Sequence, residues 1–138
     1  MSTSTMPKPP MPNPTPTTEP FWQGLKQKRV LLQQCDECDK WIFYPRSNCP
    51  GCLSGDISWR EVSGEGEVYS FTIARRPTAP QFAGLEPQLI AVIELKEGVR
   101  MNSVVVNVGE QTLAVGLKVK PFFESGLGDQ TLLYFEPA

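Results

Sequence analysis

Four cysteines stand in two Cys-x-x-Cys pairs, and no other residues of this sequence are so well spaced for chemistry. Cys35 and Cys38 form the first pair, and Cys49 and Cys52 form the second, with ten residues between the pairs. A Cys-x-x-Cys turn directs two sulfurs at one centre, and a second such turn completes a tetrahedron. We therefore predict that all four bind one metal ion, and zinc is the metal that four thiolates suit best.

The predicted ligand set also limits what the metal can do. Four protein thiolates leave no open position for water or substrate, so the metal is expected to be structural rather than a Lewis acid. Two alternatives stay open at this point. The cysteines could form two disulfides or stay as buried thiols, although a reducing cytoplasm favours metal binding. Iron could take the place of zinc, because Cys49-Pro-Gly-Cys52 resembles one knuckle of a rubredoxin.

The absence of histidine narrows the chemistry further. Without histidine the chain lacks the usual general base and any Ser-His or Cys-His nucleophile pair. Ser63, Ser70 and Thr72 have no base in a recognisable motif, and nothing pairs Glu94 or Glu97 with a pocket. We predict no catalytic residue and therefore no enzyme.

Composition and charge indicate a folded protein with little attraction for polyanions. The chain has 138 residues, of which 40% are hydrophobic, and the formal net charge is −2. Residues 21–60 carry +2 and residues 61–138 carry −4, so the larger part has little attraction for a phosphate backbone or an anionic membrane. The apolar runs are too short to span a bilayer, and the N-terminus lacks the apolar stretch of a secretion signal. We expect a cytoplasmic protein.

The N-terminal part of the sequence predicts a tail and one short helix. Residues 1–18 are rich in proline and threonine and are expected to form an extended, mobile tail. Thr18 offers an N-cap oxygen and Pro20 fits an early helical position, which predicts a helix from about Glu19 to Lys28. This helix and the cysteine block form the predicted region 19–60, in which Trp41, Phe43 and Tyr44 are expected to build the ribbon core.

From residue 61 onward the sequence predicts a β-barrel. Five runs rich in β-branched and aromatic residues are separated by turn signals. The runs are Val68–Ile73, Leu89–Leu95, Val104–Val108, Leu117–Phe123 and Leu132–Phe135. Five strands in about 75 residues fit a small Greek-key barrel of the OB type better than a sandwich of seven strands. The predicted fold class is mainly β, with a short N-terminal helix, a zinc ribbon and an OB-fold over 61–138.

The order of these segments resembles a known family, domain of unknown function thirty-five. The resemblance covers nearly everything after residue 19 and departs from the family at Glu136, where members often carry arginine. The motifs that carry it are Pro20–Leu25, the two cysteine pairs, Phe43–Arg46, Trp59–Gly64, Gly66–Ser70 and Leu95–Gly98.

The resemblance implies a fold and a role. Family members have an N-terminal helix, a rubredoxin-like zinc ribbon and an OB-fold, and they accompany thiolase-like or ketosynthase-like acyl-CoA enzymes in lipid and polyketide pathways. Some are fused or bound to hydratase-type subunits. The implied role is a non-catalytic accessory subunit that binds such an enzyme and acyl-CoA itself.

Five further residues are candidate contacts for CoA or for a partner. Arg75 and Arg76 end the first barrel strand, where they could hold a phosphate or carboxylate, or simply pair with glutamates in solvent. Phe82 lies in the following loop, and Phe21 and Trp22 lie in the helix; each could serve an interface or the chain's own core.

Two other functions remain as alternatives. A single-stranded nucleic-acid binder would use the same OB-fold with stacked aromatic residues, but the charge of residues 61–138 argues against it. An iron electron carrier would use the cysteine block with iron in place of zinc.

Overall fold

The computed structural model describes residues 12–76, 84, 87–125 and 130–138. Within these ranges the chain forms one helix, a three-stranded sheet and a five-stranded sheet, so the prediction of a mainly β protein is confirmed. The elements are α1 Glu19–Lys26, β1 Val30–Cys35, β2 Trp41–Ile42, β3 Ile57–Val62, β4 Gly66–Ala74, β5 Gln88–Leu95, β6 Arg100–Val104, β7 Lys118–Glu124 and β8 Leu132–Pro137.

Helix α1 packs one apolar face against the start of β1. Phe21 and Leu25, one turn apart, are both buried, and Leu25 is fully enclosed. Gly24 lies on the same side, where an added Cβ would come 2.9 Å from the side chain of Leu31. The glycine weakens the helix but lets the strand approach it closely.

The helix begins at Glu19, as predicted, but its expected side-chain cap and its predicted C-terminal end differ from the structure. Thr18 does not cap α1, because its backbone is already helical and its hydroxyl accepts the amide N–H of Thr15 at 2.8 Å. The helix ends at Lys26 rather than Lys28, since Lys28 has a φ of +61° and turns the chain toward β1. The first eleven residues of the predicted tail lie outside the described residues.

The ribbon is an antiparallel sheet in the order β2-β1-β3. Strand β1 pairs with β3 along its whole length, from Val30 opposite Val62 to Cys35 opposite Ile57. Strands β1 and β3 lie outside the five strands predicted from the sequence. Tyr44, expected in the ribbon core, is 58% exposed, so that expectation is wrong; Trp41 and Phe43 are partly buried against the core.

The second sheet is a nearly closed barrel with the strand order of an OB-fold, as predicted. All neighbours in the order β6-β5-β4-β7-β8 are antiparallel. A parallel bridge between Val105 and Phe135 brings the two end strands together, and the Val106 amide donates to the Phe135 carbonyl at 2.7 Å. The Ser103 hydroxyl adds a bond to the Leu133 carbonyl at 2.8 Å.

The third barrel strand lies earlier than predicted. The sequence indicated Val104–Val108, but β6 runs over Arg100–Val104. The turn after β5 takes only a few residues, so the chain can pair with β5 again from Arg100 onward. Beyond Val105 the chain leaves the sheet, and Asn107 has a φ of +58°.

One hydrophobic core joins the helix, the ribbon and the barrel. Leu25 and Leu32 belong to the same buried cluster as Ile93, Val119 and Phe135. A separate small cluster of Cys35, Ile42 and Cys49 lies at the cysteine end of the ribbon. The ribbon therefore rests on the barrel core at one end and on its cysteines at the other. Within the described ranges, no helix combines the length and the apolar character needed to cross a membrane.

Candidate metal centre and interaction surfaces

The four cysteine sulfurs converge on one point, as the spacing predicts. All four Sγ atoms lie within 4.8 Å of one another. The Sγ atoms of Cys35 and Cys52 are 3.5 Å apart, and those of Cys38 and Cys49 are 3.6 Å apart. A tetrahedron with metal–sulfur bonds of about 2.3 Å has edges of about 3.8 Å, whereas a disulfide needs about 2.05 Å. The four cysteines are free, and their spacing fits a tetrahedral metal rather than two disulfides.

The two Cys-x-x-Cys turns have the same backbone construction. In the first, the Asp39 amide donates to the Cys35 carbonyl at 3.0 Å; in the second, the Leu53 amide donates to the Cys49 carbonyl at 2.8 Å. Asp39 and Leu53 each follow a cysteine pair, and both have a left-handed φ, +63° and +68°.

Backbone amides also point at the sulfurs inside these turns. The Cys38 amide lies 3.5 Å from the Cys35 sulfur, and the Gly51 amide lies 3.3 Å from the Cys49 sulfur. These paired knuckles hold the sulfurs in place and favour their thiolate form.

The pKa values of the cysteine thiols and the repulsion between their thiolates also favour a bound cation. The backbone amide of Cys52, the largest cause, lowers the pKa of Cys49 to about 6, although burial opposes the shift. The pKa of Cys52 rises to about 12: the Ser54 amide lowers it, but the neighbouring Cys35 sulfur, burial and the remaining sulfurs raise it. Four thiolates at this spacing repel one another, and a divalent ion between them removes that penalty.

A buried glutamine connects the two halves of the site. Gln33 in β1 is 5% exposed, and its Nε2 donates to the Arg46 carbonyl at 2.8 Å. The Arg46 amide donates back to the Gln33 Oε1 at 2.7 Å. The side-chain amide thus acts as a short piece of strand, joining the strand that ends at Cys35 to the loop that leads to Cys49. The sequence gives no signal of this role, since Gln33 and Gln34 look alike.

The structure places the predicted contact residues in different settings. Arg75 forms an ion pair with Glu110 at 3.0 Å and stays 67% exposed, which agrees with the alternative of a strand end paired in solvent. Arg76 is exposed. Phe82 lies outside the described residues. As contacts for CoA or a partner, all three remain predictions.

Phe21 and Trp22 both serve the chain's own packing. Phe21 is 6% exposed and contacts Trp22 edge to face, with ring centroids 4.9 Å apart. Both line an apolar cavity of about 230 Å³ between α1, the ribbon and the barrel, together with Phe43, Met101 and Leu133. A partner could therefore meet Trp22 and the mouth of this cavity, but not the buried face of Phe21.

These features define a zinc ribbon followed by an OB-fold, and the comparison with known proteins agrees. Residues 22–58 match the family model of the ChsH2 rubredoxin-like zinc ribbon domain, and residues 59–124 match that of the ChsH2 C-terminal OB-fold domain. Zinc is therefore the structural metal, and Cys35, Cys38, Cys49 and Cys52 are placed to hold it.

The relatives identify the family more closely. A DUF35 domain-containing scaffold protein of Methanocaldococcus jannaschii is 30% identical over 105 residues, covering 74% of this chain and 73% of that protein. A solved structure described as the Ltp2-ChsH2(DUF35) aldolase superposes with a TM-score of 0.81 at 29% identity, covering 92% of this chain and 98% of the matched chain. The chain belongs to the DUF35 family, as the sequence motifs indicated.

A third relative is much longer than the matched region. The probable enoyl-CoA hydratase alpha subunit of Thermomonospora curvata is 33% identical over 119 residues, which are 86% of this chain. The chain spans only 37% of that protein's length. The match therefore extends to one part of a larger subunit.

Proposed function

We propose that this chain is a non-catalytic accessory subunit that binds a thiolase-like or ketosynthase-like acyl-CoA enzyme, and that it also contacts the acyl-CoA. The observation that carries the proposal is the closed sulfur site. Its four protein ligands are all cysteines, so the metal has no position left for a substrate. The chain offers structure, and the chemistry belongs to the molecule that it joins.

The relatives support this proposal from their names. One is called a scaffold protein, another a hydratase subunit, and the superposed structure is described as an aldolase that contains a DUF35 chain. Each of these names describes a protein that works within an assembly. A cytoplasmic location is part of the proposal, because cysteines that form no disulfide and hold a metal instead are typical of a reducing compartment.

The barrel's charges favour this role over binding of single-stranded nucleic acid. Its cations are largely neutralised by acidic neighbours, whereas a nucleic-acid groove needs free positive charge along its length. Four of them form ion pairs: Arg75 with Glu110, Lys96 with Glu65, Arg100 with Glu94, and Lys118 with Glu67.

Co-expression tests the proposed function directly. The full chain is produced with each thiolase-like protein encoded in the same genome, and complexes are isolated by size-exclusion chromatography. We expect one such protein to co-elute and the purified chain alone to leave acyl-CoA substrates unchanged. Turnover by the chain alone would contradict the assignment, and so would tight, steeply salt-dependent binding of short single-stranded oligonucleotides.

The acyl-CoA contact is tested with Arg76. Arg76→Glu reverses an exposed charge at the end of β4 and is expected to weaken CoA binding to the complex about tenfold. Lys28→Glu makes the same change on the ribbon side and is the matched control. Isothermal titration with CoA compares the two; equal affinities would remove Arg76 from the contact.

A further inference from the structure

One edge of strand β4 lacks a neighbour over more than half of its length, within the described part of the chain. On one side β4 pairs with β5 along the whole strand, from Gly66 to Ala74. On the other side only Gly66 and Glu67 align with β7, and Val68 adds two bonds to the chain just before β7. A bulge then shifts the register between Val68 and Ser70. Bulges turn a strand away from its neighbour, which explains why the pairing with β7 stops there.

The direction of the hydrogen bonds shows which residues face the open edge. The Leu95 amide donates to the Val99 carbonyl and the Val105 amide to the Leu89 carbonyl, so the odd-numbered residues of β5 bond on the β6 side. Bonding directions alternate along a strand, and the even-numbered residues of β5 therefore bond to β4.

The register transfers this alternation to β4. Its partners of the even-numbered β5 residues are Ser70, Thr72 and Ala74, opposite Val92, Ile90 and Gln88. Phe71 and Ile73 lie between them, so their backbone N–H and C=O groups point to the opposite side, toward the open edge.

The side chains along this edge offer none of the usual protection. The segment Tyr69–Ala74 has no charge and no proline, and four of its six residues are aromatic or β-branched. Tyr69 is 47% exposed and Phe71 is 38% exposed. Sheet edges in soluble proteins are normally blunted by lysine, proline or a covering element, because a bare, uncharged edge pairs with other chains.

We propose that an extended segment of the thiolase-like partner adds to β4 beside Phe71 and Ile73 as a further strand of the sheet. This inference rests on the proposed function and specifies its contact. Extended backbone is the occupant that satisfies alternating N–H and C=O groups, and apolar side chains at alternate positions would cover Phe71. The segment Tyr69–Ala74 carries no charge, so the fitting segment of the partner is uncharged where it lies beside Phe71 and Ile73.

Amide hydrogen exchange, measured residue by residue, tests this contact. The exchange rates of the full chain alone are compared with those of the chain bound to the co-eluting thiolase-like protein. In the free chain the Ser70 and Thr72 amides are expected to exchange slowly, because they bond to β5, and the Phe71 and Ile73 amides to exchange fast. In the complex we expect the Phe71 and Ile73 amides to become protected at least about tenfold.

Two variants distinguish the contribution of the Phe71 backbone to partner binding from that of its side chain. Phe71→Pro removes an edge N–H without removing a bond to β5, a position where proline is tolerated. Phe71→Ala removes only the ring. We expect Phe71→Pro to bind the partner about tenfold more weakly than Phe71→Ala, with zinc content and circular dichroism unchanged. The exchange measurement on the unaltered chain decides the matter if Phe71→Pro does not fold.

Each other outcome overturns the inference in a distinguishable way. If Phe71 and Ile73 are protected in the free monomer, the chain covers its own edge; if they are protected in a free dimer by light scattering, a second copy covers it. If the partner binds and both amides still exchange fast, the contact lies elsewhere and only this inference fails. If no thiolase-like protein binds, the proposed function fails together with it.

Discussion

At the scale of single residues, the metal centre depends on side chains that differ greatly in how visible they are. The cysteines can be recognised from their spacing, because two Cys-x-x-Cys turns brought together give a tetrahedron of sulfur. Gln33 gives no such signal, yet its buried amide makes two short hydrogen bonds to Arg46. A buried polar group this well satisfied fixes its surroundings, here the loop before Cys49.

Gln33 is expected to slow the release of zinc. Gln33→Leu leaves the Arg46 amide and carbonyl without partners and loosens the approach to the second knuckle. Changes around a metal site lower metal affinity by about 10–100-fold, and we expect the lower end of that range because Gln33 contacts no sulfur directly. A colorimetric chelator in excess measures the release rate.

Gln34→Leu is the matched control for this experiment. Gln34 is the next residue of β1, and its amide makes one bond, at 3.1 Å, to the Asp39 carbonyl near the surface. We expect a smaller change in the release rate than for Gln33→Leu. Equal release rates in the two variants and the unaltered chain would show that the hydrogen bonds between Gln33 and Arg46 do not help to hold the metal.

At the scale of elements, the ribbon consists of two ends with different support. The end near α1 shares the core of the barrel through Val30 and Leu32, whereas the cysteine end has a cluster of only a few buried residues. So small a cluster cannot offset the conformational entropy of the turns around it. The metal must supply the difference.

Removing zinc is therefore expected to unfold the cysteine end and spare the barrel. After treatment with a strong chelator, or in Cys35→Ser, the segment from Trp41 to Tyr44 should become sensitive to protease while β5 stays protected. Limited proteolysis followed by mass spectrometry maps the cuts. An unchanged digestion pattern in a metal-free sample would contradict the structural role of the metal.

At the scale of the whole molecule, the helix, the ribbon and the barrel are expected to unfold together. Leu25 is fully buried in a cluster that also contains Ile93 and Phe135 of the barrel. The limits 19–60 and 61–138 drawn from the sequence remain a prediction about domains, but the core runs across them.

Truncating Leu25 tests this shared core. Leu25→Ala is expected to lower the free energy of unfolding by about 2–5 kcal/mol, with the fluorescence of Trp59 and the circular dichroism of the barrel shifting in one transition. Leu53→Ala, at a side chain that is 75% exposed, is the control and should change little. Two separate transitions in the zinc-loaded protein would show that the ribbon and the barrel are independent.

Much of the fold could be predicted because local signals agreed with it. The zinc ligands follow from spacing, and four of the five barrel strands follow from runs of β-branched and aromatic residues between turn signals. Strand β1 was missed because two adjacent leucines are followed in it by two adjacent glutamines, so apolar and polar residues do not alternate as expected of a strand. Strand β6 was predicted too late in the chain, because its polar residues Arg100 and Asn102 carry weaker strand signals than the valines that follow.

The sequence by itself determined the residue types: a closed sulfur site, no histidine, and enough β-forming segments for a small barrel. Only the tertiary structure decided which groups meet. It joined Gln33 to Arg46, placed Phe21 in the chain's own core and paired Arg75 with Glu110. Among the residues that the structure describes, it also left the edge of β4 at Phe71 and Ile73 without a neighbouring strand. Such contacts arise between residues far apart in the chain, where register and packing, rather than local preference, fix the neighbours.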